Sequence, residues 1–333
     1  MRIKIYSVLT FIFSLVFLVA LGEIFVRIAY MPLFYSYNME MWRYAKDLKQ
    51  PNQNPKLPFC HKPNQQGNYY GVQVQTNQQG MRERNLPKMD TGKTKKRILF
   101  IGDSFTFGWG IAVGERFSNQ VQNQLDSLYP NQYEVLNSGV GNTNSTMQVE
   151  LFQTKGILLK PDLVVLNYFI NDAEPTPKIM GKIGYWLFSK SYLLAFLSDK
   201  SQKIKVNLNQ NFNWKTYYSD LYLPSKPALE TNKNALIDLT KYCKTHQIKL
   251  FISNIPELHQ TQNYPFLEAN AFIRSIAEDT QTPFIDLLQP LKTYNPQALW
   301  VSPEDAHANA LANKIMGNAI AKKIIESNIL QAQ

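Results

Sequence analysis

Cysteine and histidine are scarce in this chain. Two cysteines, Cys60 and Cys243, occur in 333 residues. They are too few for a disulfide framework and lack metal-ligand spacing, so they read as two free thiols. A single bridge between them in an oxidising compartment is the alternative. The four histidines, His61, His246, His259 and His307, form no HExxH pattern, and no CxxC accompanies them. A metal site therefore has no support, and no cofactor is expected. Long runs of like charge are missing too, although the formal net charge is +10. Scattered cations describe a solvated basic surface and argue against a nucleic-acid binder. Neither GxxxxGK[ST] nor GxGxxG occurs, which disfavours a phosphate or nucleotide cradle. The GxSxG elbow is absent, and there is no internal repeat.

One long apolar run is present. Ile5 to Leu21, "IYSVLTFIFSLVFLVAL", carries no charge and follows Arg2 and Lys4. Its length and flanks predict a transmembrane helix with a cytoplasmic N-terminus and an exported, periplasmic remainder. A cleaved signal peptide, ending near Ala20-Leu21-Gly22, is the rival, and a buried core helix the third reading. Apolar residues resume after Glu23, which favours an uncleaved anchor over residues 1–30. Glu23 and Arg27 are spaced to pair on one helix face.

Residues 31–95 read as a membrane-proximal linker. "QPNQNPKLPFCHKPNQQG" is loop-like, "NYYGVQVQTNQQG" alternates as a strand or hairpin does, and "MDTGKTKKR" is polar and solvated. From Arg97 onwards, apolar strands alternate with helical periodicity. "RILFIG", "YEVLNSG", "DLVVLNYF", "IKLFISNIP" and "PFIDL" are strands. Phe117, Val121, Leu125 and Leu128 mark one helix, and Met147, Leu151, Ile157 and Leu158 another. The last helix is "ANALANKIMGNAIAKKIIES". This alternation predicts a parallel sheet covered on both faces, a three-layer α/β domain over 96–330. An aromatic-rich interruption at about 175–227 is too long for a simple connection. It reads either as a lid or substrate wall, touching the membrane in one version, or as a packed subdomain.

In such sheets the ligand site forms beyond the carboxyl ends of the strands. Polar residues collect at four of these places: Gly102-Asp103-Ser104, Asn137 to Ser145, Phe169 to Asp172, and Val301 to His307. Singly, Ser104 is equally a helix cap, Gly141 a tight turn, Asn171 a turn residue and His307 a surface residue. Together they supply a hydroxyl nucleophile, a base, and donors for a tetrahedral oxyanion. The donors would be the N–H groups of Ser104 and Gly141 and the Asn171 side-chain amide. Gly139 is the alternative to Gly141, which reads as following the strand more closely. Asp103 and Asp172 read as loop braces without a proton-transfer role. His259 follows a strand and is a candidate substrate contact. His246 lies at the opposite end, and His61 has no assigned role.

The ordered set "GDSF", "NSGVGN", "FIND" and "EDAH" resembles the SGNH hydrolases, or GDSL-type esterases. The resemblance covers about two-thirds of the chain. It implies a flavodoxin-like αβα fold and a serine esterase acting on acyl esters, with Ser104 and His307 catalytic. The acid in that family usually stands three residues before the histidine, here Glu304. The shorter DxH spacing selects Asp305, which is preferred, with Glu304 as the alternative. The acyl group is expected to be O-acetyl on a carbohydrate. The alternatives are an O-acyltransferase of the same mechanism and a non-enzymatic glycan-binding or assembly factor.

Overall fold

The computed structural model describes residues 2–30, 36–83, 94–208 and 213–330. The chain divides into two units, Met1–Asp47 with Met180–Phe212, and Leu48–Ile179 with Asn213–Gln333.

In the first unit the apolar run forms the helix Arg2–Phe25, which loosens into a π-helical turn at Val26–Tyr30. The stretch Ile5–Ala29 is long and apolar enough to cross a membrane, and its most apolar part is not buried inside the protein. A membrane anchor and a signal sequence both have this form. Glu23 pairs with Arg27 at 2.8 Å, as their spacing predicts. Its carboxylate also accepts from the Ser191 hydroxyl and from the N–H groups of Tyr192 and Leu193, each at 2.9 Å. These amides open the helix Tyr192–Leu208, whose first N–H groups have no partner within the helix. Trp42, on the helix Tyr37–Leu48, donates to the Phe188 carbonyl at 2.9 Å and meets the Phe188 and Tyr192 rings edge-on.

The second unit begins with two small antiparallel ribbons: β1 (Lys49–Pro51) with β2 (Phe59–His61), and β3 (Gln66–Tyr69) with β4 (Val72–Gln75). Residues read as a linker thus hold folded ribbons, while residues 31–35 and 84–93, including the start of "MDTGKTKKR", lie outside the described residues. The main sheet is parallel throughout, built from β5 (Lys96–Gly102), β6 (Tyr133–Asn137), β7 (Leu163–Phe169), β8 (Lys249–Ile255) and β9 (Phe284–Asp286). Its order is β6-β5-β7-β8-β9. All of β7 is buried, which explains why "LVVLNYF" is continuously apolar rather than alternating. A final ribbon pairs β10 (Trp300–Ser302) with β11 (Asp305–Ala308).

The helices are α1 (Ser104–Phe107), α2 (Phe117–Leu128), α3 (Ser145–Thr154), α4 (Trp214–Leu221), α5 (Pro227–Thr245), α6 (Leu267–Asp279), α7 (Leu288–Leu291) and α8 (Ala310–Glu326). Helix α2 buries Phe117, Val121 and Leu125, and α8 buries Ala312, Met316, Ile320 and Ile324, one residue per turn in each. These two helices pack together, while α5 packs against α3 and α6. The two groups sandwich the sheet, giving the three-layer α/β architecture expected from the alternation.

Three local expectations change. The helix read through Ile157 and Leu158 stops at Thr154, and a 3-10 turn at Gly156–Leu159 leaves Leu158 exposed. Glycine at 156 is a poor helix former, so the ladder ends there. The aromatic interruption is not one piece. Met180–Phe212 belongs to the first unit, whereas Trp214, Tyr218 and Leu221 of α4 pack on the hydrophobic core of the second; residues 209–212 lie outside the described residues. The acid–histidine block does not directly follow the last sheet strand. It sits on β11, after β9, α7 and β10.

Candidate active site

The Ser104 loop is shaped by what its neighbours exclude. A Cβ at Gly102 would lie 2.1 Å from Thr106 Oγ1 and 3.0 Å from the Asn167 carbonyl, so only glycine fits. Asp103, not Ser104, caps α1. Its Oδ1 accepts from the Phe105 N–H at 2.9 Å, which leaves the Ser104 hydroxyl available. Burial raises the Asp103 carboxyl to about 6, against the Phe105 N–H and the charge of His307, which lower it. Asp172 is raised well above the usual carboxylate range by burial and by neighbouring Asp103. It accepts from Gln148 Nε2 at 2.7 Å and from the Phe169 N–H at 3.2 Å, bracing the Asn171 turn.

Ser104 Oγ lies 2.8 Å from His307 Nε2, and His307 Nδ1 lies 2.5 Å from Asp305 Oδ1. The same Asp305 oxygen accepts the His307 backbone N–H at 3.0 Å, which fixes the carboxylate relative to the ring. With Nδ1–H directed at the carboxylate, Nε2 is left to accept the Ser104 proton. Burial raises the Asp305 carboxyl, but bonds from His307 and Trp109 outweigh this and hold it below the ordinary value. Glu304, the alternative acid, is exposed and turned away, accepting from the Ser302 hydroxyl at 3.1 Å. A side chain two residues before His307 reaches the ring because β11 is extended. The one three residues before belongs to the β10–β11 turn.

The candidate oxyanion groups come from three strand ends. Asn171 sits in the one-turn helix Ile170–Ala173 after β7. Its side-chain amide makes no hydrogen bond among the described residues, and its Oδ1 is buried. Gly139 is nearer the end of β6 than Gly141, the reverse of the sequence reading. It is committed to packing: a Cβ there would lie 2.3 Å from the Phe107 N, and its own N–H donates to Asn137 Oδ1 at 3.0 Å. The buried Gly141 follows, and its carbonyl accepts from Lys49 Nζ at 2.6 Å.

The model of the GDSL-like lipase/acylhydrolase family matches residues 100–315. The chain belongs to that family. As a GDSL-like acylhydrolase it is an ester hydrolase. Among solved structures it resembles the acetylxylan esterase Axe2 of Geobacillus stearothermophilus, at 20% identity over 70% of this chain and 96% of that one, with a TM-score of 0.46. It also resembles the hydrolase LAE5 from the metagenome of Lake Arreo, Spain, at 13% identity over 71% and 97% of the two chains, with a TM-score of 0.45. A lipolytic protein of the G-D-S-L family from Desulfitobacterium hafniense matches at 15% identity over 69% and 99%, with a TM-score of 0.44. No curated protein matches by sequence.

Three residues of this acylhydrolase went unassigned in the sequence. Trp109 Nε1 donates to Asp305 Oδ2 at 2.8 Å, and the "GWG" turn beside the serine block was the available signal. Phe105 lies 5.0 Å from the His307 ring and 4.4 Å from the Phe169 ring. Lys49 is separated in sequence from everything it supports, so no motif could reveal it. Of the other histidines, His61 is buried on β2 beside the Gly80 carbonyl, and burial lowers its ring to about 3. His246 is exposed after α5 and stacks on Tyr242. Cys60 and Cys243 are buried free thiols.

Proposed function

We propose that this GDSL-like acylhydrolase is a serine esterase in which Ser104 attacks the ester, His307 moves the proton and Asp305 orients and stabilises the ring. The observation that carries the reading is the unbroken hydrogen-bond chain Asp305–His307–Ser104. As Ser104 Oγ bonds to the carbonyl carbon, its proton passes to His307 Nε2. The charge on the carbonyl oxygen is received by the N–H groups of Ser104 and Gly141 and by the Asn171 amide. Collapse breaks the ester bond, and the alcohol leaves with the proton from His307. Water then attacks the acyl-enzyme, gives a proton to His307 and releases the acid, restoring Ser104.

The acyl group in this proposal is small, O-acetyl above all. Ser104 is 4% exposed and the His307 side chain 14%, with Phe105 and Phe169 packed alongside, so little room remains for a long chain. A carbohydrate as the esterified alcohol is part of the same proposal. The segment Ile5–Ala29 is proposed as an uncleaved anchor, with residues 96–330 as the hydrolase domain on the extracytoplasmic side, from the cations Arg2 and Lys4 that precede it. The test is hydrolysis of ethyl acetate by the full chain and by Ser104→Ala. A loss of at least about a thousandfold is expected from the variant, and equal turnover would overturn the assignment.

A further inference from the structure

A second acid–x–histidine unit stands outside the Ser104 triad. Glu257-Leu258-His259 repeats the local geometry of Asp305-Ala306-His307. In each, one buried carboxylate accepts both the backbone N–H and Nδ1 of the histidine two residues later, with backbone bonds of 2.9 and 3.0 Å. The Glu257 side chain is 6% exposed, whereas that of His259 is 49% exposed. With Nδ1 engaged, Nε2 faces outward, and among the described residues it makes no hydrogen bond. The ring is held between Trp214 and Trp300, each with its centroid 5.1 Å away.

This unit is fastened to the Ser104 site. It follows the carboxyl end of β8, as Ser104 follows β5 and Asn171 follows β7. Trp300 Nε1 donates to the Leu258 carbonyl at 2.9 Å, and Trp300 pairs across the β10–β11 ribbon with Ala308, the residue after His307. The bond to Glu257 raises the His259 ring above the ordinary value, with a further contribution from Asp305. An oriented imidazole with a buried carboxylate behind it and no protein partner in front is what a ligand-binding group requires.

We propose that His259 binds the alcohol part of the ester, with Nε2 hydrogen-bonded to a hydroxyl other than the esterified one. This deepens, and rests on, the serine esterase reading. The alcohol must leave within reach of His307 Nε2, which protonates it, so groups tied to the His307 ribbon border the alcohol and not the acyl side. Phe105 and Phe169 offer the acyl side no polar contact. A hydroxyl both donates and accepts, and therefore suits His259 in either charge state. The Glu257 carboxylate disfavours an anionic ligand, and the protonated ring disfavours a cation. The substrate class is an ester of a polyol or sugar, with Trp214 and Trp300 supplying an apolar wall.

The test compares two esters with the same acyl group, methyl 6-O-acetyl-glucopyranoside and ethyl acetate, on the full chain. For His259→Ala, KM for the sugar ester rises about tenfold, as expected for one lost hydrogen bond, with kcat within about twofold. The kcat/KM for ethyl acetate stays within about twofold. His259→Gln, which retains a polar group, recovers part of the lost KM. Binding is read without turnover in Ser104→Ala by tryptophan fluorescence during titration with the sugar ester, and adding His259→Ala weakens it about tenfold. Equal losses on both esters, or unchanged KM and binding for the sugar ester, would overturn the proposal. Failure of the esterase reading is separate: it appears as ethyl acetate hydrolysis that survives Ser104→Ala.

Discussion

Trp109→Phe isolates one hydrogen bond behind the proposed catalytic pair. In the native protein Asp305 divides its work: Oδ1 holds His307 through two bonds, and Oδ2 accepts from Trp109 Nε1 at 2.8 Å. Phenylalanine keeps an aromatic ring and removes the donor, leaving a buried carboxylate oxygen unpaired. A hydrogen bond to a charged group contributes about 1.5–3 kcal/mol, and leaving a buried charged group unsatisfied costs a similar amount. If half of the lower figure reaches the transition state, in which His307 is cationic, kcat/KM falls about fourfold; the full lower figure gives about tenfold. KM should change little, because Trp109 is buried and bonded to Asp305. The sign of the pH effect follows from Asp305. Its carboxyl is held low in the folded protein, and the pair works only while it is ionised. Removing a donor raises that carboxyl, so the part of the activity that depends on ionised Asp305 is lost at a higher pH on acidification. The assay is ethyl acetate hydrolysis by full-chain protein from pH 4 to 9, with near-ultraviolet circular dichroism to verify folding. Unchanged kcat/KM across that pH range in a folded variant would refute the reasoning.

Other substitutions probe the scaffold around the site. Gly139→Ala places a Cβ against the Phe107 backbone, which cannot move like a flexible side chain, and should cost about 1–3 kcal/mol in denaturant unfolding together with activity; a fully stable, active variant would contradict the packing role. Burial lowers the Lys49 ammonium to about 7, so between pH 7 and its unfolded value near 10.5 the native state binds fewer protons than the unfolded one. Stability from Lys49 therefore rises with pH there, by at most about 1.4 kcal/mol per unit. Lys49→Met should flatten that rise in thermal unfolding at pH 7, 8 and 9, and parallel wild-type and variant curves would count against it. Asp103→Asn retains a capping oxygen for the Phe105 N–H and should change stability by less than about 1 kcal/mol, whereas Asp103→Ala should cost about 1–2 kcal/mol.

Much of this protein is legible in one dimension. The strands and helices from Arg97 onwards follow from apolar periodicity, because burial on one helix face or both sheet faces is a local constraint that the sequence must satisfy at every turn. The long uncharged run after Arg2 and Lys4 is equally local. Ser104, Gly141 and Asn171 were placed for a different reason: each follows the end of a parallel strand, and the sheet brings those ends together, whereas His307 lies within β11 of a separate antiparallel ribbon. What the periodicity could not carry was choice among neighbours. Asp305 rather than Glu304 faces His307 because β11 is extended at that point and Glu304 falls in the turn. Gly139 is committed to packing because the backbone of α1 at Thr106 and Phe107 lies against it. Lys49 on the Gly141 carbonyl, Trp109 on Asp305 and His259 fastened to the His307 ribbon join residues far apart in the chain. Such contacts depend on how ribbons and loops close over the sheet. That closure is set by summed packing of the whole unit, and no short stretch of sequence records it.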